Sequence, residues 1–510
     1  MDTSKISEES IMKKVIRILI ISMSLVINAQ QQNSQQKNGS YKNPIFAGDY
    51  PDPSIIRDGE DYYIVHSSFN YYPGLLIWTS KDLVNWKPVT HALKKSVGSV
   101  WAPDLVKYNN KFYIYFPANE TNYVVWADAI NGPWSDPIDL KVGNIDPGHF
   151  VDDKGNRFLY FSNGGYVPLS KDGLAVVGDI KHSYDGWKIP NEWSIECFCM
   201  EGPKVLKYKD YYYLTVAEGG TAGPATSHMV VSARSKSPLG PWENSPYNPI
   251  IRTNDSSEKW WSKGHATVID DAKGNWWMVF HAYENGYYNM GRQTLLQPVE
   301  WAADGWFKIK SGTKTEDVLK KPAGQVVKSN FSISDTFSAM ELQPQWQFYN
   351  QYDADRIQFS KNGLKIKGKG NNIGESSPLL CSASDHSYSA EVEVEIEGNA
   401  SAGLILFYDE KIYTGIAADK ENISAILRTW QFPTQKGVNK KHLFLRLEKK
   451  EQIVNMFYSI DGKDWLKIEN SAEVSSFNHN VLGGFMSLKL GLSAVGEGSV
   501  TFRNFVYSPK

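Results

Sequence analysis

Tyr50-Pro51-Asp52-Pro53-Ser54 sets an acid between two prolines, and the order of residues after it decides the fold. An apolar run, the turn Asp58-Gly59 and the aromatic strand Tyr62-Tyr63-Ile64-Val65 follow. The same order returns after Asp104, with Asn109-Asn110 before residues 112–116, and after Asp146, with Asp153-Lys154-Gly155 before residues 158–161. It returns again after Glu201, with Lys209-Asp210 before residues 211–214, and after His265, with residues 271–274 before residues 276–280. Turn residues between short β-rich runs read as hairpins.

Each unit closes on a tryptophan: Trp86, Trp134, Trp187, Trp242 and Trp301. Units of about 40 to 65 residues made only of strand and turn are the mark of a radially repeated sheet whose units bury their faces on their neighbours. The expected fold is all-β, beginning with a five-bladed β-propeller over residues 43–309. In such a ring, residues at equivalent strand starts meet near the axis although far apart in sequence, which brings Asp52, Asp146 and Glu201 to one cavity.

At 510 residues the chain exceeds one ordinary core. The second domain, residues 330–510, begins after a Lys/Gly/Thr connection at 310–329. Strict alternation through Glu391-Val392-Glu393-Val394-Glu395-Ile396-Glu397 predicts a strand with one wet face, and further short strands with a turn at Asp461-Gly462 predict a β-sandwich. It carries no dense cluster of carboxylates, His or Cys, so support of the propeller is favoured over glycan binding.

A net charge of -2 offers no basic field for nucleic acid. Lys13-Lys14, the apolar run 15–27 and Ala29 predict a signal peptide over residues 1–29, with Met12 as an alternative start and residues 30–42 as a polar linker. No cysteine follows the run to take a lipid, and no later run has membrane-spanning length. The expected location is secreted or periplasmic. Of three cysteines, Cys197 and Cys199 read as buried thiols, an odd count being no complete disulfide framework, and Cys381 is the third.

Carboxylates meeting at one pocket suit glycoside hydrolysis, in which one acid protonates the departing oxygen and one base activates the attacking group. The flanking prolines constrain Asp52. Glu201, after Cys197-Phe198-Cys199-Met200, has neighbours that would raise its pKa as a general acid requires, and Asp146 would help hold it protonated. Asp104 is read at the equivalent place in the second unit, so symmetry leaves open which three acids react.

These residues, together with Trp101-Ala102-Pro103-Asp104, Ile145-Asp146-Pro147, Glu201-Gly202-Pro203, Ala217-Glu218-Gly219-Gly220-Thr221 and Gly291-Arg292-Gln293-Thr294, resemble glycoside hydrolase family 43 over the whole mature chain. The resemblance implies five-bladed propellers that cut β-xylosides and α-L-arabinofuranosides with inversion. It implies Asp52 as general base, Glu201 as general acid and Asp146 as the residue that tunes and positions the acid. Inversion asks for roughly 6.5 to 9.5 Å between acid and base carboxyls.

The resemblance further implies Trp101 and Phe69 as apolar walls, Arg292 as a donor fork, and Thr221 and His228 as substrate contacts. His265 is implied as an axial residue that could reach a structural calcium ion through water; no cofactor is required for the chemistry. The second domain resembles the concanavalin-like domain of β-xylosidase members, which can lend a loop to the pocket. Ile145 departs from the bulky aromatic common beside the middle aspartate. The expected substrate is a plant cell-wall oligosaccharide, with terminal β-D-xylose first and α-L-arabinofuranose second. A non-catalytic glycan-binding propeller and an endo-acting arabinanase are the rival readings.

Overall fold

Asn109 and Asn110 both adopt positive φ, at 48° and 60°, and Tyr108 pairs with Lys111 across them. This is the turn geometry whose twist matches two right-twisted strands. Tyr208 pairs with Tyr211 in the same way, and Asp58 with Asp61 around Gly59-Glu60. The structure is a computed structural model that describes residues 39–438 and 440–510; the expected signal peptide, Met12 and most of the 30–42 linker lie outside them.

Five antiparallel sheets follow one another, each ordered as in the sequence. Their first strands are Ser54–Asp58, Asp104–Tyr108, Gly148–Val151, Met200–Tyr208 and Trp260–Asp270. Each sheet hides its faces on the next. Val65 and Ile77 of the first blade share a core with Leu105 and Phe116 of the second, and Tyr115 of the second with Leu159 and Phe161 of the third. Tyr213 and Val230 of the fourth pack with Met278 and Phe280 of the fifth. Ile64 and Trp78 meet Trp277 and Leu296 to close the ring.

The segments expected to be linkers take part in this closure. Ser40–Lys42 pairs antiparallel with Val318–Lys320, and Tyr41 is buried in the core between first and fifth blades. The family of buried contacts is thus wider than composition suggested.

The second domain is built around two long paired strands, Tyr388–Asp409 and Lys489–Pro509. Val392, Val394 and Ile396 are buried while the glutamates between them are not, as the alternation requires. The sandwich is hydrogen-bonded to the propeller: Tyr71–Tyr72 of the first blade pairs with Gln347–Tyr349. At its far edge, Trp430 and Phe432 stand exposed and stacked on the strand Trp430–Lys436.

The cysteine expectation is corrected: Cys197 and Cys199 form a disulfide and are half-buried, while Cys381 is free and buried. Extended backbone would have pointed the two thiols apart, but residues 194–199 form no strand, so the two sulfurs can meet.

Candidate active site

The first strands deliver side chains to the axis in layers. Taking the X-Pro steps as register marks, Asp52, Ala102, Asp146 and Gly202 stand in one layer, with His265 in the corresponding place of the fifth blade. Asp52, Asp146, Gly202 and His265 share positive φ of 56°, 58°, 60° and 55°. Such conformations are costly for non-glycine residues and persist where the surroundings impose them, often at functional sites.

Two readings are corrected by this register. Asp104 is not the counterpart of Asp52; it sits two residues deeper, level with Ser54 and Lys204, and Ala102 takes the pocket position. Its Oδ1 accepts from Lys204 Nζ at 2.5 Å and from Ser54 Oγ at 3.2 Å, and its Oδ2 from the His149 N–H at 2.6 Å. Asp104 is therefore a neutralised brace beneath the pocket. Glu201 also lies one residue before the expected register, with an irregularity in strand pairing between Glu201 and Lys204. Gly202 is obligatory: a Cβ there would lie 2.9 Å from the His265 ring.

Asp52 is buried and held on every side. Arg292 donates to both oxygens, Nη1 to Oδ1 at 2.9 Å and Nη2 to Oδ2 at 3.3 Å, and Ser67 Oγ donates to Oδ2 at 2.5 Å. The Asp52 N–H donates to His281 Nδ1 at 3.1 Å, which leaves the Nε2 proton of His281 facing Thr221 Oγ1 at 3.4 Å. Burial pushes the His281 pKa down to about 3, with Arg292 adding to the effect. For Asp52, burial pushes upward, but the Arg292 guanidinium overrides it, and the carboxyl is held well below its usual range. An ionised, oriented carboxylate results.

Asp146 accepts the Gly202 N–H at 3.0 Å, so it grips the backbone next to Glu201. Its pKa is pushed well above the usual value by burial, then by the charges of Glu201 and Asp52. Burial also pushes Glu201 up, but contact with His228 and the influence of His265 outweigh it, and its net shift is downward. The expected raised pKa thus belongs to Asp146. Two carboxyls so close titrate as a unit that retains one proton, with Asp146 as its holder. His228 is fully buried, with Nε2 3.2 Å from Glu201 Oε1. It stands behind the acid and does not line the pocket, which corrects its reading as a substrate contact.

The pocket is small, with a cavity volume of about 50 Å³. Asp52, Asp146, Glu201, Thr221, His265 and Arg292 form its polar wall; Phe69, Trp101, Ala102, Ile145 and Phe485 form its apolar wall.

Comparison with known proteins settles the family. Residues 41–307 match the model for "Glycosyl hydrolases family 43", and residues 334–508 match "Beta xylosidase C-terminal Concanavalin A-like domain". The chain belongs to glycosyl hydrolases family 43. It is a glycoside hydrolase by that membership. It is 30% identical to the non-reducing end alpha-L-arabinofuranosidase BoGH43B of Bacteroides ovatus, covering 96% of both chains. It is 28% identical to a xylan 1,3-beta-xylosidase of a Vibrio species, covering 84% of this chain and 90% of that one. The solved structure of the GH43 BlXynB protein of Bacillus licheniformis superposes with a TM-score of 0.83 at 28% identity, covering 92% of this chain and all of that one.

In this family 43 chain the sandwich itself enters the site. Phe485 packs edge-on to Trp101, with centroids 5.7 Å apart, and lies 5.5 Å from the Arg292 guanidinium carbon, which Phe69 approaches from 5.9 Å. Sequence reasoning missed Phe485, although Gly483-Gly484 before it marks a loop able to carry an aromatic into a crevice. It also missed Ser67 and His281, whose strand read only as aromatic core.

His265 faces the carboxylates, with Nδ1 3.5 Å from Asp52 and 4.0 Å from Asp146. Ligand atoms of Asp146, Glu201 and His265 lie within 4.8 Å of one another. Calcium takes about six to eight oxygens, and a set of two carboxylates and one imidazole does not make that shell. As direct ligands these residues do not fit a calcium site.

Proposed function

We propose that this family 43 enzyme is an inverting exo-glycosidase that removes a terminal β-D-xylosyl residue from xylo-oligosaccharides. The observation that carries the reading is the small pocket walled by Phe485, with a tightly held carboxylate at Asp52 and a proton-sharing pair at Asp146 and Glu201. Asp52 accepts a proton from water as the water attacks the anomeric carbon. Glu201 delivers the pair's proton to the departing oxygen, and the resulting carboxylate is steadied by His228. Asp146 holds Glu201 in place through the Gly202 N–H and keeps the proton available to it. Arg292 orients Asp52 and offers donors to sugar hydroxyls. Asp52, Glu201 and Asp146 retain the charge and geometry needed for chemistry, which favours an enzyme over a glycan-binding propeller.

Terminal α-L-arabinofuranose is the second reading, favoured by the arabinofuranosidase relative of matching length. Both sugars are pentoses that would present comparable hydroxyls to Arg292. The apolar run at 15–27 supports action outside the cytoplasm on plant cell-wall fragments. The test is hydrolysis of aryl β-D-xyloside and aryl α-L-arabinofuranoside beside Glu201→Ala. Xylose release lost in the variant supports the first reading, arabinose release alone moves it to the second, and cleavage of neither refutes both.

A further inference from the structure

The sandwich reaches the general base by a second route, away from Phe485. Asp49, three residues before Asp52, is buried, and its Oδ2 accepts from Lys489 Nζ at 3.5 Å. Lys489 opens the long strand Lys489–Pro509 of the sandwich and is itself buried. It is pinned there: Nζ donates to Ser382 Oγ at 2.7 Å and lies 4.7 Å from the centre of the Tyr71 ring. The pair borders a small cavity of about 50 Å³ between the domains, which His66, Ser68 and Tyr71 also line.

The other oxygen of Asp49, Oδ1, is buried without a hydrogen-bond partner among the described residues and packs against Gly291, so closely that a Cβ on Gly291 would lie 2.2 Å from it. The next residue is Arg292. Its guanidinium grips Asp52 with both nitrogens, and the charge of buried Asp49 also bears on it. Charges alternate from the sandwich to the base as Lys489, Asp49, Arg292 and Asp52.

We infer that Lys489 is a positioning residue for catalysis, acting across the domain boundary: by engaging Asp49 it leaves the Arg292 fork wholly to Asp52. A buried carboxylate that loses its cation seeks another, and Arg292 directly follows the Gly291 against which Asp49 packs. Without Lys489, Asp49 draws the guanidinium from Asp52, and the base loses the two-point grip that aims it at water. The sandwich thereby contributes to the alignment of the base as well as to the pocket wall. This inference rests on the reading of Asp52 as the base.

The test is a charge cycle in the full chain with aryl β-D-xyloside, or the arabinofuranoside if that is the one cleaved. Lys489→Met is expected to lower kcat by roughly ten- to a hundredfold, the scale of a misaligned reacting group. Asp49→Asn, which cannot compete for the guanidinium, is expected to stay within a few fold of the parent. The double variant Asp49→Asn/Lys489→Met is expected to recover to the Asp49→Asn level, and Lys489→Arg to keep most of the parent kcat. A packing role for Lys489 makes the losses additive and gives no such recovery. Parent-like kcat in Lys489→Met, or a double variant no better than Lys489→Met, overturns the inference. Thermal melts of all four show whether each is folded; if Lys489→Met does not fold, the double variant and Lys489→Arg still decide. Asp52→Asn, measured alongside, separates the layers: if it keeps parent activity, the base assignment fails; if it is inactive while Lys489→Met is parent-like, only the cross-domain inference fails.

Discussion

Replacing Asp146 by Asn separates its electrostatic role from its grip on the backbone. The amide oxygen can still accept the Gly202 N–H, so the geometry around Glu201 is kept, while one of two close negative charges is removed. Ligand atoms of the two residues lie within 4.8 Å of each other. At that distance and an effective dielectric near 20, two unit charges repel by about 3.5 kcal/mol, roughly 2.5 pH units. In the parent, the pair's last proton is therefore held to high pH, and its loss sets the basic limb of kcat/KM. In Asp146→Asn, Glu201 titrates alone beside His228, so the basic limb is expected to move down by about two units. The loss should be about a hundredfold above the parent's basic limb and should shrink as the pH falls. An aryl leaving group of low pKa, which needs little protonation, should restore much of the rate. The assay is the pH profile of kcat/KM with two aryl glycosides of unlike leaving groups. A uniform loss with an unmoved basic limb refutes the shared-proton argument and leaves Asp146 a purely positional role.

Arg292→Gln removes the charge that overrides the burial of Asp52, so the Asp52 pKa should rise and the acid limb of kcat/KM should move to higher pH. Phe485→Ala should lower kcat/KM by about two- to tenfold, the worth of one aromatic contact, with the pH profile unchanged. Asp104→Asn should act on folding: it breaks the buried pair with Lys204 and should cost about 3 to 5 kcal/mol in denaturant unfolding, while the folded fraction keeps its pH profile. Gly202→Ala should lose both stability and kcat, because the added Cβ meets the His265 ring at a positive φ.

The propeller was legible because every blade repeats the same local grammar. Two-residue turns such as Asn109-Asn110 and aromatic second strands carry the hairpins in sequence, and a hairpin with two sticky faces has few ways to hide them except in a ring. The alternation at residues 391–397 announced its strand for the same local reason. The site was legible at Asp52, Asp146 and Glu201, which strand starts bring to one place. Register along the axis was not, since one or two residues decide whether a side chain enters the pocket or lies a layer below, as with Asp104, and an irregular strand pairing can shift it, as beside Glu201. His228 looked like a substrate contact because sequence does not tell the wall of a pocket from what lies behind it. Phe485 and Lys489 were invisible for a different reason: both act across a domain boundary, more than 190 residues from Arg292 by number, where no local pattern reports the contact. The Cys197 and Cys199 bond was missed because the argument against it assumed extended backbone.

The central claim is a single displacement by water, aimed by Asp52 and assisted by Glu201. Proton NMR of aryl β-D-xyloside hydrolysis, read in the first minutes before the free sugar mutarotates, tests it most directly. The account predicts that α-xylose appears first. β-Xylose as the first product would contradict it, since retention requires a covalent intermediate and a nucleophile where Asp52 is placed as a base.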